Sequence, residues 1–176
     1  MSRLSTERLI LRRPTEDDAP FVLELLNEPG WLRHIGDRGV RTVEAARDYV
    51  TGRFLAMFRE HGYGSYVVTL KQTAEPIGLC GLVRRDGLDG PDLGFAFLDR
   101  FHGRGYAREA AIAVLDEARR VHGVTRLLAI ASPANERSIA LLQKLGFRSE
   151  GTVRLPGEET DIGFFAVELD QTVASK

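Results

Sequence analysis

The chain has 176 residues, of which 43% are hydrophobic and 28% are charged, a composition typical of a globular domain and not of a disordered chain. Its formal net charge of −1 gives no electrostatic reason to bind nucleic acid or an anionic membrane. Its one cysteine, Cys80, excludes a disulfide within the chain, and no signal-peptide pattern or membrane-spanning run occurs. We therefore expect one cytoplasmic domain over residues 1–176, with its core at about 7–170.

Hydrophobic periodicity and turn residues predict a mixed α/β fold without internal repeats. Residues 29–41, which are rich in glycine and arginine, are interpreted as a loop. The three consecutive strands between residues 66 and 98 are expected to pair as an antiparallel meander. In chain order, we predict a strand at 9–11, helices at 17–28 and 42–61, strands at 66–70, 77–83 and 92–98, a helix at 105–121, a strand at 126–131, a helix at 135–145, and strands at 148–153 and 162–169.

One glycine-containing segment lies between a predicted strand and a strongly periodic helix. Gly103 and Gly105 allow a tight turn, and the following helix offers unpaired N–H groups and the positive end of its dipole. Arg104 and Arg108 add positive charge, so the segment is suited to phosphate oxygens. The alternative is a glycine-containing turn without a ligand. A dinucleotide fingerprint would need a third glycine at Arg108, and the Gly-Lys-Ser/Thr of a Walker A loop is absent, which disfavours a nucleotide-dependent oxidoreductase.

The order and spacing of several motifs resemble the GCN5-related N-acetyltransferase (GNAT) family, in particular the branch that contains the ribosomal-protein N-terminal acetyltransferases. The family's cofactor motif has the form Gln/Arg-x-x-Gly-x-Gly/Ala, and the segment from His102 to Ala107 matches its spacing, with His102 departing at the first position. The resemblance covers about 160 residues. The other similar segments are Arg8–Arg13, Asp92–Phe95, Asn135–Ser138, Leu145–Phe147 and Thr160–Ile162.

This resemblance implies a fold and a reaction. The fold would have a central, mostly antiparallel mixed sheet that splays between two strands and is flanked by helices. Acetyl-CoA would be the cosubstrate, no metal would be required, and a primary amine would attack directly in a ternary complex. The acceptor would be either a protein N-terminal α-amine or a small-molecule amine. A homodimer is compatible with the resemblance, and the residues leave the oligomeric state open.

The resemblance also assigns cofactor contacts. The backbone of Phe97 and Leu98 would pair with the pantetheine arm, and one N–H there would polarise the thioester carbonyl. Asn135 would hydrogen-bond the same arm, cap the short helix that follows, or do both. The backbone N–H groups expected to hold the pyrophosphate are those of His102, Gly103, Arg104, Gly105, Tyr106 and Ala107.

The catalytic and acceptor residues are less defined by the pattern. Asp92 matches the position of a family general base, although it could equally be a turn residue. Leu142 occupies the position of the family's usual tyrosine acid, so Ser138 is the candidate acid, with helix capping as its alternative role. Trp31 and His34 are candidates for an acceptor pocket, with core packing and surface exposure as alternatives. A non-catalytic acetyl-CoA-binding sensor therefore remains a second hypothesis.

Overall fold

A computed structural model describes residues 3–170. Apolar runs in the middle of the sequence form central strands, and shorter, more polar runs form the edges. The strands are β1 (Arg3–Ser5), β2 (Leu9–Arg12), β3 (Ser65–Leu70), β4 (Pro76–Val83), β5 (Asp92–Phe97), β6 (Arg126–Ala131), β7 (Arg148–Val153) and β8 (Ile162–Glu168).

The helices lie between these strands and end at residues suited to capping. Thr42 accepts the backbone N–H of Ala45 at one helix start, and Gly62 ends the same helical run in a left-handed conformation. None of the helices within residues 3–170 combines the length and apolar character needed to cross a bilayer. The helices are α1 (Ala19–Leu26), α2 (Pro29–His34), α3 (Val43–Tyr49), α4 (Leu55–His61), α5 (Tyr106–Arg120) and α6 (Glu136–Lys144).

All the strands form one sheet, with the order β1-β2-β3-β4-β5-β6-β8-β7. Neighbouring strands are antiparallel except for β5 and β6, which run parallel. The apolar stripe of α5 packs against β1, β2, β4 and β5 and buries Ala110, Ala111, Val114 and Ala118 completely. This places the first turn of α5 beside the end of β5, where the glycine-containing segment begins.

The parallel pair opens along its length. Asp92 and Leu128 form the pairing at its start, where the Leu128 N–H donates to the Pro91 carbonyl oxygen at 3.1 Å. Between that point and the strand ends at Phe97 and Ala131, both described in full, no further residue pairs form. The two strands therefore separate toward their carboxyl ends, which confirms the splayed sheet that the resemblance implied.

The predicted elements differ from the structure in three places. Residues 29–41 were expected to be a loop, but Pro29–His34 forms α2. Pro29 ends the helical pattern of α1, but proline is also favoured at the first position of a helix, and here it begins α2. The helix predicted for 42–61 contains a π-helical turn at Val50–Phe54 between α3 and α4. The edge strand β1, only three residues long, is too short for a periodicity signal.

Candidate functional site

The segment between β5 and α5 turns through two glycines in left-handed conformations. Gly103 has φ of +76° and Gly105, the N-cap of α5, has φ of +81°. Residues with a side chain rarely adopt such angles, so glycine at these two positions is what allows this turn. The strand end and the helix start are thereby joined in a compact loop, which we call the cofactor loop (residues 102–108).

The cofactor loop presents backbone N–H groups that the protein does not use. Among residues 3–170, no acceptor is within hydrogen-bonding geometry of the N–H groups from Gly105 to Arg108, and the first helical bond runs from the Glu109 N–H to the Gly105 carbonyl oxygen at 3.1 Å. Unpaired N–H groups at a helix start form an anion site. The His102 N–H was predicted to belong to this set, but it donates to the Asp99 carbonyl oxygen at 3.1 Å in a 3₁₀ turn, so this part of the prediction was wrong.

Phe97, the last residue of β5, and Leu98, which follows it, differ in the direction of their backbone groups. The Leu98 N–H donates to the Ile77 carbonyl oxygen of β4 at 3.0 Å, and the Leu98 carbonyl oxygen accepts the Phe101 N–H at 2.9 Å. Since backbone groups alternate between the two sides of a strand, those of Phe97 point away from β4, toward the opening beside β6. The Phe97 N–H, which has no partner among residues 3–170, can therefore pair with an extended ligand. Leu98, predicted for the same role, already uses both its N–H and its carbonyl within the protein.

His102 connects the end of β5 to the start of α6. Its Nε2 lies 2.8 Å from the Phe97 carbonyl oxygen, and its Nδ1 contacts an Nη1 of Arg137. A carbonyl oxygen only accepts a hydrogen bond, so the contact with Phe97 requires a proton on His102 Nε2. His102 thus contributes its side chain, and it brings the first turn of α6 next to the cofactor loop.

The start of α6 carries two predicted site residues. Asn135 is the N-cap, and its Oδ1 accepts the Ser138 backbone N–H at 3.3 Å, which confirms the capping role. The Ser138 hydroxyl does not take part in this cap and has no hydrogen-bond partner among the described residues. The capping alternative for the Ser138 side chain is therefore excluded, and the hydroxyl can act as a proton donor.

Asp92 lies at the closed end of the splayed pair. Its side chain is fully buried and accepts two hydrogen bonds from Arg85 Nε, at 2.9 Å to Oδ2 and 3.1 Å to Oδ1. Burial raises the pKa of Asp92 to about 6, against the opposing effect of Arg85 and the nearby Arg84. A carboxyl group with such a pKa is ionised at neutral pH and still basic enough to accept a proton.

Arg85 is a functional candidate that the sequence reasoning missed. The β4–β5 hairpin pairs Val83 with Asp92, so Arg85, two residues beyond β4, folds back over the strand start. The antiparallel meander was predicted correctly. No register was predicted for it, and the register determines which basic residue meets Asp92.

The two acceptor candidates lie on one short helix near the opening. Trp31 and His34 are three residues apart in α2, so their side chains share a helix face. Trp31 Nε1 and His34 Nδ1 are buried and have no hydrogen-bond partner among residues 3–170. A Cβ added at Gly30 would lie 3.7 Å from Asp99 Oδ1, which places the start of α2 beside the residues that precede the cofactor loop. Trp31 also packs against the core, as its alternative interpretation required.

A separate cavity does not involve these residues. It has a volume of about 410 Å³ and lies between the β4–β5 turn and the strands β6, β7 and β8. Leu88, Arg126 and Phe164 are among its lining residues, and none of the predicted site residues borders it. The candidate site is therefore the open cleft between the strand ends, not an enclosed cavity.

Comparisons with known proteins agree with this geometry. Residues 8–148 match the acetyltransferase (GNAT) domain. The uncharacterized N-acetyltransferase p20 of Bacillus licheniformis is 29% identical over 155 residues, which cover 88% of this chain and 86% of that protein. An acetyltransferase from Agrobacterium tumefaciens superposes with a TM-score of 0.80 at 25% identity, covering 96% of this chain and 95% of its own. RimL, a ribosomal α-N-protein acetyltransferase in complex with coenzyme A, also has a TM-score of 0.80, at 20% identity and with 97% and 99% coverage, and shares the fold.

Proposed function

This chain belongs to the GNAT acetyltransferase family, and from that premise we propose that it transfers an acetyl group from acetyl-CoA to a primary amine by direct attack in a ternary complex. The acceptor is a protein N-terminal α-amine or a small-molecule amine. The observation that carries the proposal is the row of unpaired N–H groups from Gly105 to Arg108 at the open end of β5 and β6. A phosphate-bearing ligand with an extended arm fits both the helix start and the free strand edge.

The residues at the opening suit acetyl-CoA, which would supply the activated acetyl thioester. The N–H groups of the cofactor loop would hold the pyrophosphate, and Arg104 and Arg108 would add charge-assisted contacts. The Phe97 backbone N–H and the Asn135 side chain would hold the pantetheine arm. In the structure Asn135 Oδ1 accepts the Ser138 N–H, which leaves its amide group as a donor.

The reaction requires a neutral amine. At pH 7, neutralising a lysine amine costs about 4.6 kcal/mol, whereas an α-amine costs about 1 kcal/mol. We assign the proton acceptor to Asp92, whose pKa of about 6 keeps it ionised at that pH. Because Asp92 is fully buried, we expect the proton to reach it through water. As the amine nitrogen attacks the thioester carbon and the C–S bond breaks, the nitrogen would lose a proton to become an amide. The Ser138 hydroxyl would relay a proton, taking one from the nitrogen through water as it gives its own to the leaving sulfur, so that the hydroxyl is restored.

A second candidate function is a non-catalytic sensor that binds acetyl-CoA. Two observations favour it: Leu142, at the position of the family's tyrosine acid, is buried and apolar, and Asp92 is inaccessible in its ion pair with Arg85. A sensor would need the cofactor loop but no proton acceptor. The two functions therefore predict the same ligand and different turnover.

A thiol-release assay with acetyl-CoA separates the two functions. The acceptors would be short peptides with a free α-amine, the same peptides with a blocked α-amine and one lysine, and a panel of small amines including polyamines. Turnover with any acceptor supports the transferase, and the peptide pair distinguishes α-amines from lysine side chains. Acetyl-CoA binding by calorimetry without turnover would instead identify the sensor. Absence of binding would contradict both.

A further inference from the structure

The turn between β1 and β2 reaches the cofactor loop, about a hundred residues away in the chain. Glu109, in the first turn of α5, accepts hydrogen bonds from the Thr6 hydroxyl at 2.6 Å, the Arg8 backbone N–H at 2.8 Å and Arg8 Nε at 2.7 Å. Burial raises the pKa of Glu109, but these hydrogen bonds outweigh it and hold the pKa below its ordinary value. Glu109 is thus an ionised anchor that fixes the direction of the Arg8 side chain.

The far end of that side chain touches the cofactor loop itself. Arg8 Nη1 donates to the Arg104 carbonyl oxygen at 3.0 Å, and the guanidinium carbon lies 4.5 Å from the centre of the Tyr106 ring. A Cβ added at Gly105 would lie 3.4 Å from Arg8 Nη2. The guanidinium therefore lies against Gly105 and contacts the residue on each side of it, Arg104 and Tyr106.

This contact determines the direction of an N–H group. In a trans peptide the carbonyl and the N–H point in opposite directions, and the structure contains no cis peptide bond within residues 3–170. Since the Arg104 carbonyl points to Arg8, the N–H of Gly105 in the same peptide points away from Arg8. That N–H is one of the unpaired donors at the start of α5.

We propose that Arg8 is a positioning residue, which Glu109 and Thr6 hold in place so that it orients the Arg104–Gly105 peptide for binding the phosphates of coenzyme A. This role rests on the proposed function. It requires the fork of a guanidinium, because one end must meet Glu109 while another meets the Arg104 carbonyl. A lysine at this position would keep the charge but could not make both contacts.

Calorimetric titration of the full chain with coenzyme A tests the proposal. We expect Arg8→Ala to weaken binding about tenfold and Arg8→Lys to weaken it to a similar extent. Glu109→Gln should also weaken binding, and the double variant Arg8→Ala/Glu109→Gln should lose less than the sum of the two single losses, because both act through one contact. Arg126→Ala is the matched control: its side chain is 43% exposed, as that of Arg8 is, and it bonds two glutamates on β7 and β8. It should bind like the parent.

Two further measurements separate positioning from other roles. Amide order parameters of Gly103 and Gly105 should fall in Arg8→Ala and stay unchanged in Arg126→Ala, which a general loss of stability would not produce. Arg8→Ala should lose equal factors of affinity for coenzyme A and 3′-dephospho-coenzyme A. A loss confined to coenzyme A would indicate a direct ion pair with the 3′-phosphate and overturn the positioning role, as would parental affinity in Arg8→Lys. Failure of the parent to bind coenzyme A overturns the proposed function, whereas equal binding by the parent and Arg8→Ala overturns only the role of Arg8.

Discussion

The two sides of the candidate site are built from different parts of the chain. On the cofactor side, the main groups available to a ligand are backbone N–H groups, held by left-handed glycines and a helix start. On the acceptor and catalytic side, the candidate groups are side-chain atoms: the Ser138 hydroxyl, the buried Trp31 Nε1, and the Asp92 carboxylate, which is buried in its ion pair with Arg85. A backbone site depends on conformation, and a side-chain site depends on residue identity.

This difference determines which substitutions should matter. On the cofactor side, the glycines and the residues that orient the loop should be the most sensitive positions, because they set the backbone conformation. Substitutions of Arg104, Arg108 or Asn135 would remove only the contacts of a single side chain. On the other side, an isosteric change that removes one polar atom should be enough. Four substitutions test this contrast, from the largest expected effect to the smallest.

Asp92→Asn should have the largest effect. Asparagine keeps the shape and an acceptor oxygen for Arg85, but it cannot take a proton from the amine at neutral pH. We expect kcat to fall by about a hundredfold or more. In the parent, Asp92 is protonated below pH 6, so the rate should fall as the pH drops through about 6, and this limb of the profile should vanish in the variant.

The control for this prediction is Asp89→Asn, an exposed acidic residue in the same β4–β5 turn. It should leave both kcat and the pH profile unchanged. If Asp92 serves only as a turn residue, Asp92→Asn would lower the unfolding temperature while each folded molecule keeps the parental rate.

The contrast also explains how far the sequence could be interpreted alone. The glycine turn at Gly103 and Gly105 and the order of strands and helices other than β1 and α2 follow from local patterns, and the structure agrees with them. The hydrogen-bond partners of Leu98, His102 and Asp92 cannot be predicted from local patterns, because they depend on strand register and on contacts between distant segments. One residue of register decides whether Phe97 or Leu98 faces the opening, and no local pattern contains that information.

Gly105→Val tests the backbone side. A β-branched residue is strained at φ of +81°, so the loop should leave its present conformation. We expect the Kd for acetyl-CoA to rise tenfold or more, measured by calorimetry. Gly62→Val is the control: its φ is +77°, with open space around the added Cβ, so it should lose stability and keep its acetyl-CoA affinity. Equal affinity in Gly105→Val and the parent would contradict the phosphate site.

Trp31→Phe tests a single atom on the acceptor side. Trp31 Nε1 is buried without a protein partner, so its loss breaks no hydrogen bond within the described residues. If it donates to the acceptor, the KM for the acceptor should rise about fivefold, as expected for one hydrogen bond of about 1 kcal/mol, with no change in the KM for acetyl-CoA. Leu32→Ala, an exposed position on the same helix, should change neither value. An unchanged acceptor KM in Trp31→Phe would limit this residue to core packing.

Ser138→Ala should have the smallest effect, and it should depend on the acceptor. The helix should keep its stability, because Asn135 and not the Ser138 hydroxyl provides the cap. A thiol with a pKa of about 8.5 leaves readily as a thiolate, so a proton donor gains little when the amine is a good nucleophile. With a poor acceptor, expulsion of the thiolate should limit the rate, and single-turnover measurements should then show a loss of about threefold to fivefold with unchanged acetyl-CoA affinity. Asn135→Ala is the informative counterpart, because it removes the cap and should cost about 1 kcal/mol of stability. If Ser138→Ala keeps the parental single-turnover rate with the poor acceptor, the leaving sulfur needs no side-chain acid. In that case no residue takes over the role of the family's tyrosine, whose position Leu142 occupies.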